Sequence, residues 1–195
     1  GFEESVWVRE AGGKYSSKIV VGIHIDDSLI ACADLGVLES FKQALLQRFK
    51  GTNEGEVHEY LGCTIKLDWA NGSIWVHQTT YASKIVQRYA VTGAAVSTPL
   101  EPGKRLSKKD SPAIPNPSIL CCFRGILGHV GFLVQMTRPD LAFSYAELSK
   151  LASNPGQPHL DSAECMLRYL AGTVTLCITY VNPVCSNRLM GWVDC

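Results

Sequence analysis

The chain has 195 residues, 46% hydrophobic and 18% charged, which is enough apolar material for a sizeable core and excludes a disordered protein. Lys plus Arg and Asp plus Glu number 18 each, so net charge gives no support to nucleic-acid binding, and such a role must rest on a local patch. No apolar run reaches the ~18 residues of a membrane span, and Gly1-Phe2-Glu3-Glu4-Ser5 lacks the basic-then-apolar form of a signal peptide.

The first strong pattern is Ile19-Val20-Val21 followed by Ile23 and Ile25, a strand-forming run. Ser28-Leu29-Ile30-Ala31-Cys32-Ala33 reads as a second strand, and between the two lies a single polar break, Asp26-Asp27. The economical geometry is a hairpin with both carboxylates at or beside its turn. Two unpaired carboxylates so close repel one another, and a divalent cation is the usual remedy. Asp is also a common turn residue because its side chain can bond its own backbone, and the dipeptide by itself favours a plain turn.

Asp34 can then cap a helix whose apolar residues Leu38, Phe41, Leu45 and Phe49 recur at spacings of three and four, ending before Gly51 to Gly55. Residues 59–67 read as a strand. Asn71-Gly72 signals a hairpin into a further strand, Ser73 to His77. Thr79 or Thr80 opens a helix with Tyr81, Ile85 and Tyr89 on one face. Between Ser97 and Pro117, five prolines and the run Lys104-Arg105-Leu106-Ser107-Lys108-Lys109 predict a linker or extended crossing, its basic residues solvated or against a phosphate backbone.

Ile119 to Met136 is apolar on most sides, and its Gly125, Gly128 and Gly131 would let another backbone approach. Thr137-Arg138-Pro139-Asp140 starts the next helix, with Leu141, Tyr145 and Leu148 as its buried stripe and Asn154-Pro155 as its stop. A further helix runs from about Asp161 to Ala171 and ends at Gly172. Strands are expected over 175–181 and 188–193. The eight cysteines form no Cys-x-x-Cys pair and lie largely in apolar segments, which fits reduced thiols of an intracellular protein. His58, His77, His129 and His159 have no partners at ligand spacing and read as ordinary surface or core residues.

Taken together, these fragments resemble the reverse transcriptase region of the Pol polyprotein of copia-type (Ty1/copia) LTR retrotransposons, from about residue 17 to the C-terminus. Ile23 to Ala33 is similar to the hairpin written Y-V-D-D-x-L-I-A, Leu61-Gly62 to F-L-G, and Gln78-Thr79-Thr80-Tyr81 with Ile85 to S-Q-x-x-Y-x-x-x-(I/L). Val96-Ser97-Thr98-Pro99-Leu100, Phe123-Arg124-Gly125, Gly128 and Thr137-Arg138-Pro139-Asp140 continue the series. Arg168-Tyr169-Leu170-Ala171-Gly172-Thr173 is close to R-Y-L-x-G-T, and Gly191-Trp192-Val193-Asp194 resembles the opening strand of the family's RNase H domain. Each fragment is weak alone; together, in the family's order, they are specific.

The resemblance implies an α+β fold: an incomplete polymerase palm over residues 1–78 and a mainly helical thumb or connection over 79–180 with the linker 97–117. Residues 188–195 would begin a truncated RNase H domain. Asp26 and Asp27 would be the catalytic metal ligands for Mg²⁺ or Mn²⁺, and Asp194 the first metal carboxylate of RNase H. Leu61-Gly62 would steady the primer, His24 would stand where the family has Tyr or Phe, and Lys84 and Arg88 could face the duplex, a solvated helix face being the alternative. Implied partners are an RNA or DNA template–primer and the remaining Pol segments, with no membrane, in the cytoplasm and virus-like particle of the parent family. The start at Gly1 and the stop at Cys195 suggest a piece of something longer, and the family's third metal Asp and its fingers are expected upstream of residue 1. Metal-dependent nucleotidyl transfer is therefore expected of the complete protein, with no tight metal binding and no activity in this stretch alone. A non-catalytic remnant and a module binding nucleic acid or a Pol partner are the alternatives.

Overall fold

The computed structural model describes residues 6–181, which divide into two compact units, one up to Tyr60 and one from Leu61 onward. The architecture is α+β, with antiparallel sheets and separate helices. The expected strand 188–193 and Asp194 lie outside the described residues.

In the first unit, β1 (Val6–Arg9), β2 (Ile19–His24) and β3 (Asp27–Cys32) form an antiparallel sheet with β2 in the middle. The register runs from Ile19 opposite Cys32 to His24 opposite Asp27. β1, which the sequence reading passed over, pairs from Val6 opposite Gly22 to Arg9 opposite Ile19 and is exposed along its length. Helix α1 (Leu35–Arg48) follows, capped as expected: the Asp34 carboxylate accepts the Val37 N–H at 3.1 Å. Its stripe is only half-buried, and Phe49, just past the helix end, is 61% exposed. Tyr15 and Ile19 are the unit's buried hydrophobic residues among the described residues. Tyr15 stands edge-on to Phe41 at 5.8 Å with the Arg9 guanidinium 4.8 Å from its ring centre. A two-residue strand, β4 (Glu59–Tyr60), ends this unit.

The second unit holds β5 (Cys63–Asp68), β6 (Ser73–His77) and β7 (Ile178–Val181), with β6 paired on either side to β5 and β7. The Asn71-Gly72 signal does close a hairpin, through a four-residue loop in which the Asp68 carboxylate accepts both the backbone and side-chain N–H groups of Asn71. Those bonds hold the Asp68 carboxyl below its ordinary pKa. The expected strand 59–67 is broken at Leu61 and Gly62, which turn with φ of 51° and 75°.

Four helices make the core: α2 (Thr79–Arg88), α3 (Pro117–Met136), α4 (Ala142–Ser149) and α5 (Gln157–Gly172). Ala82 and Ile85 of α2, Phe123, Ile126, Val130 and Leu133 of α3, Leu148 of α4, and Ala163, Met166 and Leu170 of α5 meet there. Contrary to the sequence expectation, α3 is long and apolar enough in length and composition to cross a bilayer. Here one face of it fills the core, and Arg124 on another donates from Nε to the Ala152 carbonyl at 2.8 Å. Its glycines do not admit a backbone: a Cβ on Gly125 would meet the Tyr89 hydroxyl at 2.9 Å, one on Gly131 the Tyr145 hydroxyl at 2.8 Å, and one on Gly128 nothing within 4 Å. The notches take aromatic side chains.

α5 begins a turn earlier than expected because the buried His159 supplies a cap. Its Nδ1 accepts the Gly156 N–H at 2.9 Å, and Nε2 donates to the Ser107 carbonyl at 3.0 Å. That second bond fastens the proline-rich crossing, as does the bond from Asn154 Nδ2 to the Pro112 carbonyl. A Cβ on Gly156 would lie 2.2 Å from the Asp110 carbonyl oxygen, so only glycine lets the crossing pass. The crossing includes a 3₁₀ turn, Lys108–Asp110, and Lys104, Arg105, Lys108 and Lys109 are exposed.

Candidate active site

The chemistry of the first unit is concentrated at the β2–β3 turn. The hairpin closes in two residues, Ile25 and Asp26, between the paired His24 and Asp27. Ile25 takes a φ of 53° while Asp26 does not have positive φ, the sign pattern of a type II′ turn. A β-branched residue in the left-handed region costs about 1–3 kcal/mol, and the Ile25 side chain is 85% exposed, so no burial offsets it. His24, Asp26 and Asp27 are all exposed, and neither carboxylate has a hydrogen-bond or ion-pair partner among the described residues. Two adjacent, unpartnered hard-oxygen donors suit Mg²⁺, which binds through one or two carboxylates and keeps several waters. No group of three or more His, Cys, Asp or Glu residues that could hold a metal occurs among the described residues, so the donor set here is two carboxylates.

The other sequence-chosen residues belong to the second unit. Leu61 and Gly62 sit at a turn, Leu61 half-buried and Gly62 exposed. Beneath Gly62 lies Phe132 of α3: a Cβ on the glycine would be 3.1 Å from the ring Cζ. Phe132 stands edge-on to Tyr81 at 5.1 Å, and Tyr81 shares a hydrogen bond of 3.1 Å between its hydroxyl and His129 Nδ1. Lys84 and Arg88 are exposed, one turn apart on α2.

Sequence reasoning left Phe132 out, because nothing in the order of residues reveals that α3 runs beneath the turn. It also treated the marker motifs as separate signals, whereas the structure joins them. Thr137 donates from its hydroxyl to the Gln78 side-chain carbonyl at 2.9 Å, and both residues are buried. Arg138, 2% exposed, makes a bidentate pair with Asp140 at 2.9 and 2.7 Å and donates to the Thr173 carbonyl and hydroxyl at 3.0 and 2.7 Å. Its guanidinium also lies 5.8 Å from the Tyr169 ring centre. Burial pushes the Asp140 carboxyl up, but the Arg138 hydrogen bonds and charge outweigh it and hold the group below its ordinary pKa. Burial, helped by the Asp140 hydrogen bond, raises the Tyr169 hydroxyl.

Two adjacent exposed carboxylates at and beside a tight turn are an arrangement that could hold a divalent cation. Residues 2–102 match the family model described as reverse transcriptase (RNA-dependent DNA polymerase). The chain is 28% identical over 182 residues to the retrovirus-related Pol polyprotein from transposon TNT 1-94 of Nicotiana tabacum, covering 90% of this chain and 13% of that protein. It is 30% identical over 172 residues to the Pol polyprotein from transposon RE1 of Arabidopsis thaliana, covering 88% of this chain and 11% of that one. To the putative transposon Ty5-1 protein of Saccharomyces cerevisiae it is 28% identical over 163 residues, 83% of this chain and 52% of that protein. No solved structure matches. The chain belongs to the reverse transcriptase family, as a reverse transcriptase region of the copia type. It spans about an eighth of the length of the tobacco Pol polyprotein.

Proposed function

We propose that this chain is the part of an RNA-directed DNA polymerase that presents two of its metal-binding carboxylates and grips the primer. Asp26 in a strained two-residue turn and Asp27 beside it, both exposed and unpartnered among the described residues, are the observation that carries this reading. In it, residues 1–78 act as palm and 79–180 as thumb or connection. Asp26 and Asp27 would hold Mg²⁺ or Mn²⁺, and the ions, when bound, activate the primer 3′-hydroxyl and stabilise charge on the transferred phosphate. His24, paired opposite Asp27 where the turn begins, would stack on a base or donate a hydrogen bond. Leu61-Gly62 steadies the primer, and Lys84 with Arg88 contacts the duplex backbone through charge. The template–primer and the remaining Pol segments are the partners, and a cytoplasmic particle the setting.

The test is primer extension by the complete polyprotein region carrying this chain, on an RNA template with Mg²⁺. Asp26→Asn with Asp27→Asn should abolish extension while leaving template–primer binding within about twofold, since the carboxylates act on the metal and not on duplex affinity. Extension that survives the double substitution would refute the assignment.

A further inference from the structure

We infer that Phe132 is a positioning residue, whose ring sets the height and tilt of the Leu61-Gly62 turn and thereby places the primer strand; this rests on the primer-steadying reading of that turn. The turn is an unfavourable one to build. Leu61 has a φ of 51°, and a bulky residue adopts that region only when its surroundings hold it there. Gly62 has a φ of 75°, which strains any side chain, and a Cβ there would press on Phe132, 3.1 Å from its Cζ and 3.5 Å from Cε1. The exposed tip of the turn therefore rests directly on an aromatic ring.

That ring is in turn fixed from behind. Tyr81 meets it edge-on at 5.1 Å with an interplanar angle of 86°, and Tyr81 is bonded through its hydroxyl to His129. His129 stands edge-on to both Tyr81 and Tyr89, at 6.2 and 6.0 Å. A column of rings from α2 and α3 thus ends under Gly62. Phe132 is 36% exposed, so filling the core is not its whole employment; the better-buried neighbours Val130 and Leu133 do that. A flat, rigid ring with two side-chain torsions makes a better rest than a flexible aliphatic, and small errors of placement are costly in a polymerase because alignment supplies much of the rate.

Fluorescence anisotropy with the 195-residue chain decides it, using two probes: a DNA primer with a recessed 3′ end on an RNA template, and a blunt duplex of the same length. Phe132→Ala should weaken recessed-end binding about tenfold and leave blunt-duplex binding unchanged. Phe132→Leu, which keeps apolar bulk on the site, should recover part of the loss. Phe143→Ala, which removes an exposed aromatic from α4, should alter neither affinity. A variant that merely loosened the fold would weaken both probes alike, and that result overturns the inference. Equal recessed-end affinity in Phe132→Ala and the parent also overturns it, with the primer-steadying reading intact. If the parent chain shows no preference for the recessed end, that reading itself fails and the inference goes with it. Should Phe132→Ala not fold, Gly62→Ala supplies the same test from the other side: its Cβ would press on the ring, and it should lower recessed-end affinity alone.

Discussion

Replacing Asp140 by Asn tests whether the buried ion pair organises the helical unit. The change keeps the side-chain volume and removes the negative charge, leaving the almost completely buried Arg138 guanidinium with neutral acceptors alone: the amide oxygen at position 140 and the Thr173 carbonyl and hydroxyl. Breaking one side of a buried pair costs about 3–5 kcal/mol when the other charge stays behind. Here the Asp140 side chain is 30% exposed, so water replaces part of what is lost, and about 2–3 kcal/mol is the better figure. Urea unfolding followed by the helical circular-dichroism signal should show that loss near neutral pH. A second arm uses acid. The folded-state carboxyl lies below its ordinary value of 3.8, so its contribution is complete above that pH and disappears as pH falls through the lower folded value. The parent should lose this increment in strong acid, and Asp140→Asn should not. A variant within about 0.5 kcal/mol of the parent, or one with the parent's full acid response, would refute the reasoning.

The three α3 glycines should part company under substitution by alanine. Gly128→Ala meets nothing and should stabilise by about 1 kcal/mol in thermal unfolding through helix propensity, whereas Gly131→Ala, pressed against the Tyr145 hydroxyl, should destabilise by about 1–3 kcal/mol. Native-state hydrogen exchange should be faster across residues 19–32 than across 157–172, since the first sheet has little buried apolar area and an exposed edge while α5 is packed on several sides; the reverse order would count against it. On the function proposed above, the 195-residue chain assayed alone should give no primer extension with Mg²⁺ or Mn²⁺, because the described residues hold no group of three or more metal-ligating side chains and two carboxylates would leave a two-metal site short of ligands. Extension above background that vanishes with Asp26→Asn and Asp27→Asn would overturn that expectation.

Periodicity and turn chemistry carried much of the fold. The β2–β3 hairpin, the Asp34 cap, and the buried faces of α2 and α5 follow from spacing of apolar residues, because burial at those positions is a local property of the element. β1 was not legible. Val6-Trp7-Val8-Arg9 is too short and too exposed to show alternation, and it is a strand only because β2 lies beside it. The break at Leu61 was hidden for a different reason: leucine is not a residue that propensity assigns to a left-handed turn, and the packing of Gly62 on Phe132 is a tertiary contact. The proline-rich crossing reads as a linker because the acceptors that fasten it are main-chain carbonyls, at Ser107 and Pro112, which no side-chain pattern encodes.

The candidate site divides along the same line. The hairpin position of Asp26 and Asp27 was legible because two charges interrupt an otherwise apolar run, and the break falls at the turn, Asp26 in it and Asp27 at the first position of β3. The markers farther along the chain were legible as a family pattern but not as physics, since Gln78, Thr137, Arg138, Asp140 and Thr173 give no local sign of touching one another. Once they are seen bonded, their coexistence has a cause. A guanidinium that is 2% exposed must find acceptors on every side, and it draws them from its own helix start and from the end of α5, beside a Thr137 that reaches back to the start of α2. Changing any one of these residues strands a buried donor or acceptor elsewhere. The motifs around Gln78, Arg138 and Thr173 thus hold the helices together through buried polar bonds, which is a physical reason for these residues to occur as a set.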